Sequence, residues 1–188
     1  MSQRIRLANE SDAAALHSLL QQAYAPLVAQ DIHFTITRAS VAEVREVIRS
    51  ESTYVLENES GLTATLTTRF PWTVAKNHLA PWPFVHWFAV AEQAKGQGLG
   101  REIIRYVEET FLRDTLKAPA VYLATAIRHP WLTDLYLRRG YQPFHTAINP
   151  LGVELVYLCK ILDQQAFADQ EHKPIIRPLA ELRAGLTA

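Results

Sequence analysis

The run from Phe84 to Leu112 constrains the fold of this chain more than any other stretch. It opens with Phe84-Val85-His86-Trp87-Phe88-Ala89-Val90, an apolar and aromatic sequence that reads as a buried strand. It then turns through Lys95-Gly96-Gln97-Gly98-Leu99-Gly100-Arg101. Leu99, Ile103, Val107 and Phe111 follow at every fourth position, with Ile104 beside them, and this spacing predicts one amphipathic helix. A helix that starts among glycines offers unpaired N–H groups and the positive end of its dipole. Glycine also lets the backbone approach an anion with no Cβ in the way. The element predicts an anion site, and the anion expected is a pyrophosphate.

Spacing narrows the choice. A Walker loop closes on Gly-Lys-Ser/Thr, whereas Gly100 is followed by Arg101 and Glu102. The dinucleotide fingerprint needs one more residue before its last glycine and an acid about 20 residues on. Ala118 to Tyr122 offers no acid. The pattern Arg/Gln-x-x-Gly-x-Gly/Ala does fit: Lys95 to Gly100 resembles the acyl-CoA turn of the GNAT superfamily of acyltransferases, with Lys95 in place of the first Arg or Gln. A second run, Leu135-Tyr136-Leu137-Arg138-Arg139-Gly140-Tyr141, resembles the Leu-Tyr-x-x-x-Gly-Phe/Tyr that ends the fourth helix of that family.

At 188 residues the chain is long enough for one domain with its own core. With 19 basic and 19 acidic residues the formal net charge is zero, so no electrostatic footprint for nucleic acid or an anionic membrane is expected. Cys159 has no second cysteine to pair with, and its apolar surroundings predict a buried, inert thiol. The start, Met1 to Arg6, lacks a signal-peptide core, and no apolar run reaches spanning length. The expected setting is the cytoplasm, where acyl-CoA is available. The seven histidines are scattered without a metal-ligand spacing, and no Gly-x-Ser-x-Gly elbow is present.

In chain order, Arg4 to Leu7 alternates as a first strand, and Ser11 is the expected N-cap of a helix ending near Tyr24-Ala25-Pro26. Leu27 to Arg38 carries no firm pattern. Ser40-Val41-Ala42-Glu43 is a capping box opening a second helix. Thr53 to Leu56 and Leu62 to Thr67 read as an antiparallel hairpin about Glu57-Asn58-Glu59-Ser60-Gly61. The ring-rich loop Phe70-Pro71-Trp72 and Pro81-Trp82-Pro83 is either packed over the sheet or one wall of an acceptor pocket. Ala120 to Ile127 is an apolar strand expected to run parallel to the strand at Phe84, since a helix joins them. Pro130 is expected at the start of the next helix and Gly140 at its left-handed cap. Gln142 to Ile148 and Val153 to Leu162 are the last strands. The expected fold is thus α/β (α+β): one GNAT-like domain over residues 1–162, with a mixed sheet of about seven strands flanked by four helices. Residues 163–188 form a tail, amphipathic about Leu179, Leu182 and Leu186, that can pack on the domain, on a partner subunit to give a homodimer, or on neither.

The resemblance implies an N-acetyltransferase: direct attack of an amine on the thioester of acetyl-CoA, the cosubstrate, with no metal. It implies that Lys95, Gly96, Gln97, Gly98, Leu99, Gly100 and Arg101 bind the pyrophosphate. It also implies that the main chain of Phe88, Ala89 and Val90 pairs with pantetheine and polarises the carbonyl. Tyr136 faces the thioester sulfur in this resemblance, as proton donor to the departing thiolate. His129 stands where the family commonly has an asparagine that contacts pantetheine. Arg101 and Arg105 are open to two readings, phosphate contacts or solvated helix residues. His86, sharing the face of Phe88 and Val90 if the strand alternates regularly, is either the general base or a hydrogen-bonded core histidine. His145 and a chain of waters are the other candidates for the base. A catalytically silent acyl-CoA sensor and an NAD- or nucleotide-binding domain are the competing functions. Few acids near the ring-rich loops argue for an apolar or aromatic amine, or a peptide N-terminus, as acceptor.

Overall fold

The computed structural model describes residues 3–73, 78–129 and 131–184. Pro130 and Leu186, both used in the sequence reading, lie outside the described residues. Seven strands form one sheet: β1 (Arg4–Leu7), β2 (Ser52–Asn58), β3 (Gly61–Arg69), β4 (Phe84–Val90), β5 (Ala120–Ala126), β6 (Gln142–Ile148) and β7 (Glu154–Ile161). Their spatial order is β1-β2-β3-β4-β5-β7-β6. Every pairing is antiparallel except β4 with β5, which is parallel as the intervening helix requires.

The helices are α1 (Ala13–Val28), α2 (Val41–Ser50), α3 (Leu99–Arg105), α4 (Leu132–Arg138), α5 (Gln164–Ala168) and α6 (Leu179–Ala184). The capping box at Ser40 and Glu43 opens α2 as expected, with Ser40 N–H donating to Glu43 at 2.7 Å. Ser11 is not the cap it was expected to be. Asn9 caps a short 3-10 turn, Glu10–Asp12, that leads into α1, because its side chain reaches back to the Ser11 N–H at 3.0 Å. Nor does α1 stop at Pro26. The proline sits near the helix end, where its missing N–H removes one bond, and the helix continues to Val28. The unassigned segment after it contains a 3-10 turn, Thr35–Arg38, that buries Ile36.

Two local irregularities were not foreseen. The helix after the glycine turn becomes π-helical over Tyr106–Thr115, where the Leu116 N–H reaches the Phe111 carbonyl at 2.8 Å. The wider turn moves the buried stripe by one position, so Leu112 is sealed and Phe111 only half-buried. The second irregularity is in β4. Opposite β3, Thr65 pairs with Ala89 but Thr67 with His86, so Trp87 and Phe88 together face a single residue. Trp87 is the extra residue, at φ +51°, a conformation that costs a bulky side chain about 1–3 kcal/mol.

The bulge corrects the face assigned to His86. Directly paired residues point the same way, so His86 shares the threonine face of β3 with Ala89. Phe88 and Val90 lie on the other face, against α3, where an added Cβ at Gly100 would meet Val90 Cγ2 at 3.1 Å and Phe88 Cζ at 3.3 Å. The threonine face is itself buried, since Thr63 and Thr65 donate to the Leu56 and Tyr54 carbonyls at 3.0 and 3.1 Å.

The described part of the tail packs against the sheet and the loop before β4. Trp82 is fully buried, donates from Nε1 to Gln170 Oε1 at 2.6 Å, and lies against Phe144 and Phe167. Thus this half of the ring-rich loop takes its packed reading, while Trp72 stacks on Phe70 and stays exposed. Cys159 is buried as expected, and burial pushes its thiol up to about 11.

The close approach at Gly100 yields a stability test. Gly100→Val should lower stability by about 1–3 kcal/mol through overpacking against Phe88 and Val90, read as a fall in Tm, with Gly100→Ala milder.

Candidate active site

Strands β4 and β5 pair only at Phe84 with Tyr122 and Val85 with Leu123. Beyond that point the two strands part, because the bulge at Trp87 turns β4 away while β5 stays paired along its length with β7. The gap opens into a cavity of about 990 Å³. It is lined by Lys95, Gly96, Gly98, Gly100 and Arg101 of the glycine turn, by Trp87 to Val90 of β4 and by Tyr136; Phe84, Arg69, Phe34 and Tyr157 line it too.

The turn has the conformation its glycines allow. Gly96 and Gly98 hold φ of +77° and +82°, and an added Cβ at either would meet nothing within 4 Å, so their surroundings are open. Gly98 is the residue that caps α3, so the first N–H groups of the helix follow directly on this open backbone. Gln97 is turned away, its side chain bonded to the Gln93 carbonyl at 3.1 Å, and Lys95 pairs with Glu92 at 2.5 Å. Arg101 lines the cavity; Arg105 is exposed and does not.

Tyr136 is buried beside the cleft, its ring edge-on to Tyr141 at 5.4 Å. Burial, reinforced by Tyr24 and Glu108, pushes its hydroxyl well above the ordinary tyrosine range, so it stays protonated at neutral pH. Gly140, at φ +86°, ends α4, and the Tyr141 N–H closes back on the Tyr136 carbonyl at 3.1 Å, which sets the turn carrying Tyr136. Tyr24 of α1 donates to the Phe88 carbonyl at 3.4 Å and lines the same cavity. The sequence reading passed over Tyr24; only its place on an otherwise apolar helix face hinted at it.

His129 caps α4, its Nδ1 accepting the Leu132 N–H at 3.1 Å, and burial lowers its pKa. A capping acceptor is the neutral ring, and its edge lines the cavity. Thr125 Oγ1 and Arg139 Nε, from two further cavity residues, are buried without a hydrogen-bond partner among the described residues. A polar ligand in the cleft would satisfy them.

His86 lines the cavity from the threonine face. Its Nε2 lies 2.5 Å from Glu51 Oε2, and its ring stacks on Phe84. Glu51 also accepts from Arg69 Nε at 2.8 Å, and its side chain is 1% exposed. Burial alone would raise this carboxyl, but the hydrogen bond and charge of His86 and Arg69 overcome it and hold it at about 2. Glu51 gave no sequence signal, since it stands after α2 as an ordinary C-cap position. His145 lies apart, on a second cavity with His78 and His172.

The family described as "Acetyltransferase (GNAT) family" matches residues 15–141. The chain belongs to this family. Two proteins of Bacillus subtilis (strain 168) are similar to it. An S-alkylcysteine N-acetyltransferase is 46% identical over 140 residues, 74% of this chain and 78% of the relative. An S-(2-succino)cysteine N-acetyltransferase is 40% identical over 141 residues, 75% of this chain and 85% of the relative. Among solved structures, aminoglycoside acetyltransferase AAC(6')-Ib in complex with coenzyme A superposes with TM-score 0.65 at 17% identity, over 91% of this chain and all 100% of that one. The ribosomal-protein-S18-alanine N-acetyltransferase of Escherichia coli gives TM-score 0.64 at 14% identity, covering 87% and 96%. These structures share the GNAT fold with the present acetyltransferase.

Among the described residues, no group of His, Cys, Asp and Glu could hold a metal ion, and no helix is long and apolar enough to cross a membrane.

The depressed Glu51 carboxyl gives a pH test with a definite sign. Because its folded pKa lies below the usual 4.5, its stabilising contribution is complete above pH 4.5 and is lost as pH falls toward about 2. Glu51→Gln should therefore lower Tm at pH 7, and the gap from the native protein should narrow between pH 4.5 and 2.

Proposed function

We propose that this GNAT acetyltransferase moves the acetyl group of acetyl-CoA to the α-amine of an S-substituted cysteine. The observation that carries the reading is a glycine turn and a protonated Tyr136 lining one cleft, in a chain 46% identical to an S-alkylcysteine N-acetyltransferase. The ring-walled end of the cavity suits an apolar S-substituent, in keeping with the apolar acceptor expected from the sequence.

Acetyl-CoA supplies an activated thioester. The open backbone at Gly96 and Gly98, with the N–H groups that open α3, takes the pyrophosphate, and Lys95 and Arg101 add positive charge there. The main chain of Phe88, Ala89 and Val90, where β4 has left β5, pairs with pantetheine and offers an N–H to the thioester oxygen as negative charge develops on it. Thr125, Arg139 and His129 supply further polar contacts along the cleft. The amine must lose its proton before it attacks, and His86 on the cavity wall is the residue assigned to accept it, at Nδ1, because Nε2 donates to Glu51. Tyr136, kept protonated by burial, donates to the departing thiolate.

The setting proposed is the cytoplasm, because the reaction consumes acyl-CoA. A homodimer belongs to the same reading, and the exposed Ile148 on the outer strand and Ile175 in the tail offer apolar surface for it. A silent sensor would bind CoA without releasing thiol.

The purified protein should release CoA thiol from acetyl-CoA when given S-benzylcysteine. Calorimetric binding of CoA without turnover on any amine would favour the sensor instead. Tyr136→Phe should lower kcat about 10- to 1000-fold while leaving the KM for acetyl-CoA near native. Gly98→Ala, strained at φ +82° and placing a methyl in the open turn, should raise the KM for acetyl-CoA about tenfold with little change in that for the acceptor.

A further inference from the structure

Arg69 ends β3 opposite Phe84, at the edge of the cavity away from the glycine turn along β4. Its guanidinium lies 5.6 Å from the centroid of the Phe84 ring. Nε is held by Glu51 at 2.8 Å, and Nη2 lies 3.5 Å from His86 Nε2. A guanidinium carries five N–H donors in a fixed fork, and the bond to Glu51 uses one of them. The ring beneath it and the buried carboxylate behind it fix its orientation before any ligand arrives. Its side chain is 18% exposed and lines the cavity, so the fork has not been sealed into the core.

Around this cation the wall is apolar. Phe84 lies against Tyr122, Phe34 packs edge-on to Tyr24, and Tyr157 and Leu155 close the side formed by β7. Asn149 donates from Nδ2 to the His33 carbonyl at 3.1 Å, which ties the segment carrying Phe34 to the turn before β7. An anchored cation among rings, next to His86, is the arrangement that a zwitterionic amino acid with an apolar side chain would need.

We infer that Arg69 binds the α-carboxylate of the acceptor, with the S-substituent laid against Phe34, Phe84 and Tyr157. A carboxylate on the Nη edge of Arg69 leaves the neighbouring α-amine beside His86, on the side of the cleft that leads to Trp87 and Phe88. The inference rests on the acceptor reading above and makes it narrower: the preferred substrates are α-amino acids with a free carboxylate, over amines that lack one. Glu51 is then a positioning residue for both Arg69 and His86.

The test uses the native protein and acetyl-CoA with S-benzylcysteine, its methyl ester and S-benzylcysteamine, which lacks the carboxyl carbon. The free acid should show a kcat/KM about 10- to 100-fold above the other two, the range of one charged hydrogen-bonded pair. In Arg69→Met the ratio of kcat/KM for the acid to that for the cysteamine should fall by a similar factor, a comparison that cancels any loss carried to all acceptors through Glu51 and His86. Arg69→Lys, which keeps a cation for Glu51, should fall between. Equal efficiency on the three acceptors in the native protein would overturn the role of Arg69 while leaving acyl transfer intact. An equal loss on all three acceptors in Arg69→Met would overturn it as well. No thiol release with any of them would overturn the acceptor reading and this inference together.

Discussion

The structure depends on β4 being unable to serve two neighbours along its whole length. It is bound antiparallel to β3 on one side, and it meets β5 in parallel for only two residue pairs on the other. The extra residue at Trp87 adds twist to one strand of the sheet, and the other half, β5-β7-β6, keeps its own direction. A gap inside a sheet leaves main-chain amides and carbonyls facing a cleft, which a folded chain tolerates only where something polar can reach them. A strained residue in the centre of the sheet is consistent with that use, since backbone strain persists where the surrounding structure over-determines it.

Around the cleft, buried charge is retained in paired sets. Glu51 pairs with His86 and Arg69. Glu108, 1% exposed, accepts from Tyr141 at 2.7 Å and pairs with Lys160, and Tyr141 in turn supports the ring of Tyr136. An isolated carboxylate at either place would be strongly unfavourable; hydrogen bonds and ion pairs make each a rigid fixture. The two sets lie on the two sides of the cleft residues, one behind His86 and one behind Tyr136. His86 and Tyr136 are thereby each held by a buried carboxylate, directly in one case and through Tyr141 in the other.

The strand, glycine turn and helix from Phe84 onward were legible because each uses short-range signals: apolar runs, glycines and a near-helical repeat. The capping box at Ser40, the left-handed cap at Gly140 and the parallel pairing of β4 with β5 were legible for the same reason. Tyr136 and the turn were found through paired motifs, and the structure puts both on one cavity. Of the two readings open for the ring-rich loop, Trp82 takes the packed one, against the tail, and the rings that line the cavity come from α1 and its following loop, β4, the start and middle of α4, and β7. Leu27 to Arg38 had no periodicity, since it is held by contacts with residues distant in the chain, Asn149 on the His33 carbonyl and Gln21 on the Ile36 carbonyl within the 3-10 turn.

The order of elements, their type and the open glycine turn followed from the sequence alone, because those features are decided within about ten residues by propensity, spacing and glycine freedom. The facing of His86, the shifted stripe at Leu112 and the partnership of Glu51 with Arg69 did not. A bulge and a π turn each insert one residue into a repeat, and nothing local marks where the insertion falls. Glu51 and Arg69 are separated by the whole β2-β3 hairpin and meet because that hairpin folds back on itself. Tertiary structure alone brings their charges together, since an ion pair needs proximity in space and the chain order carries no measure of it.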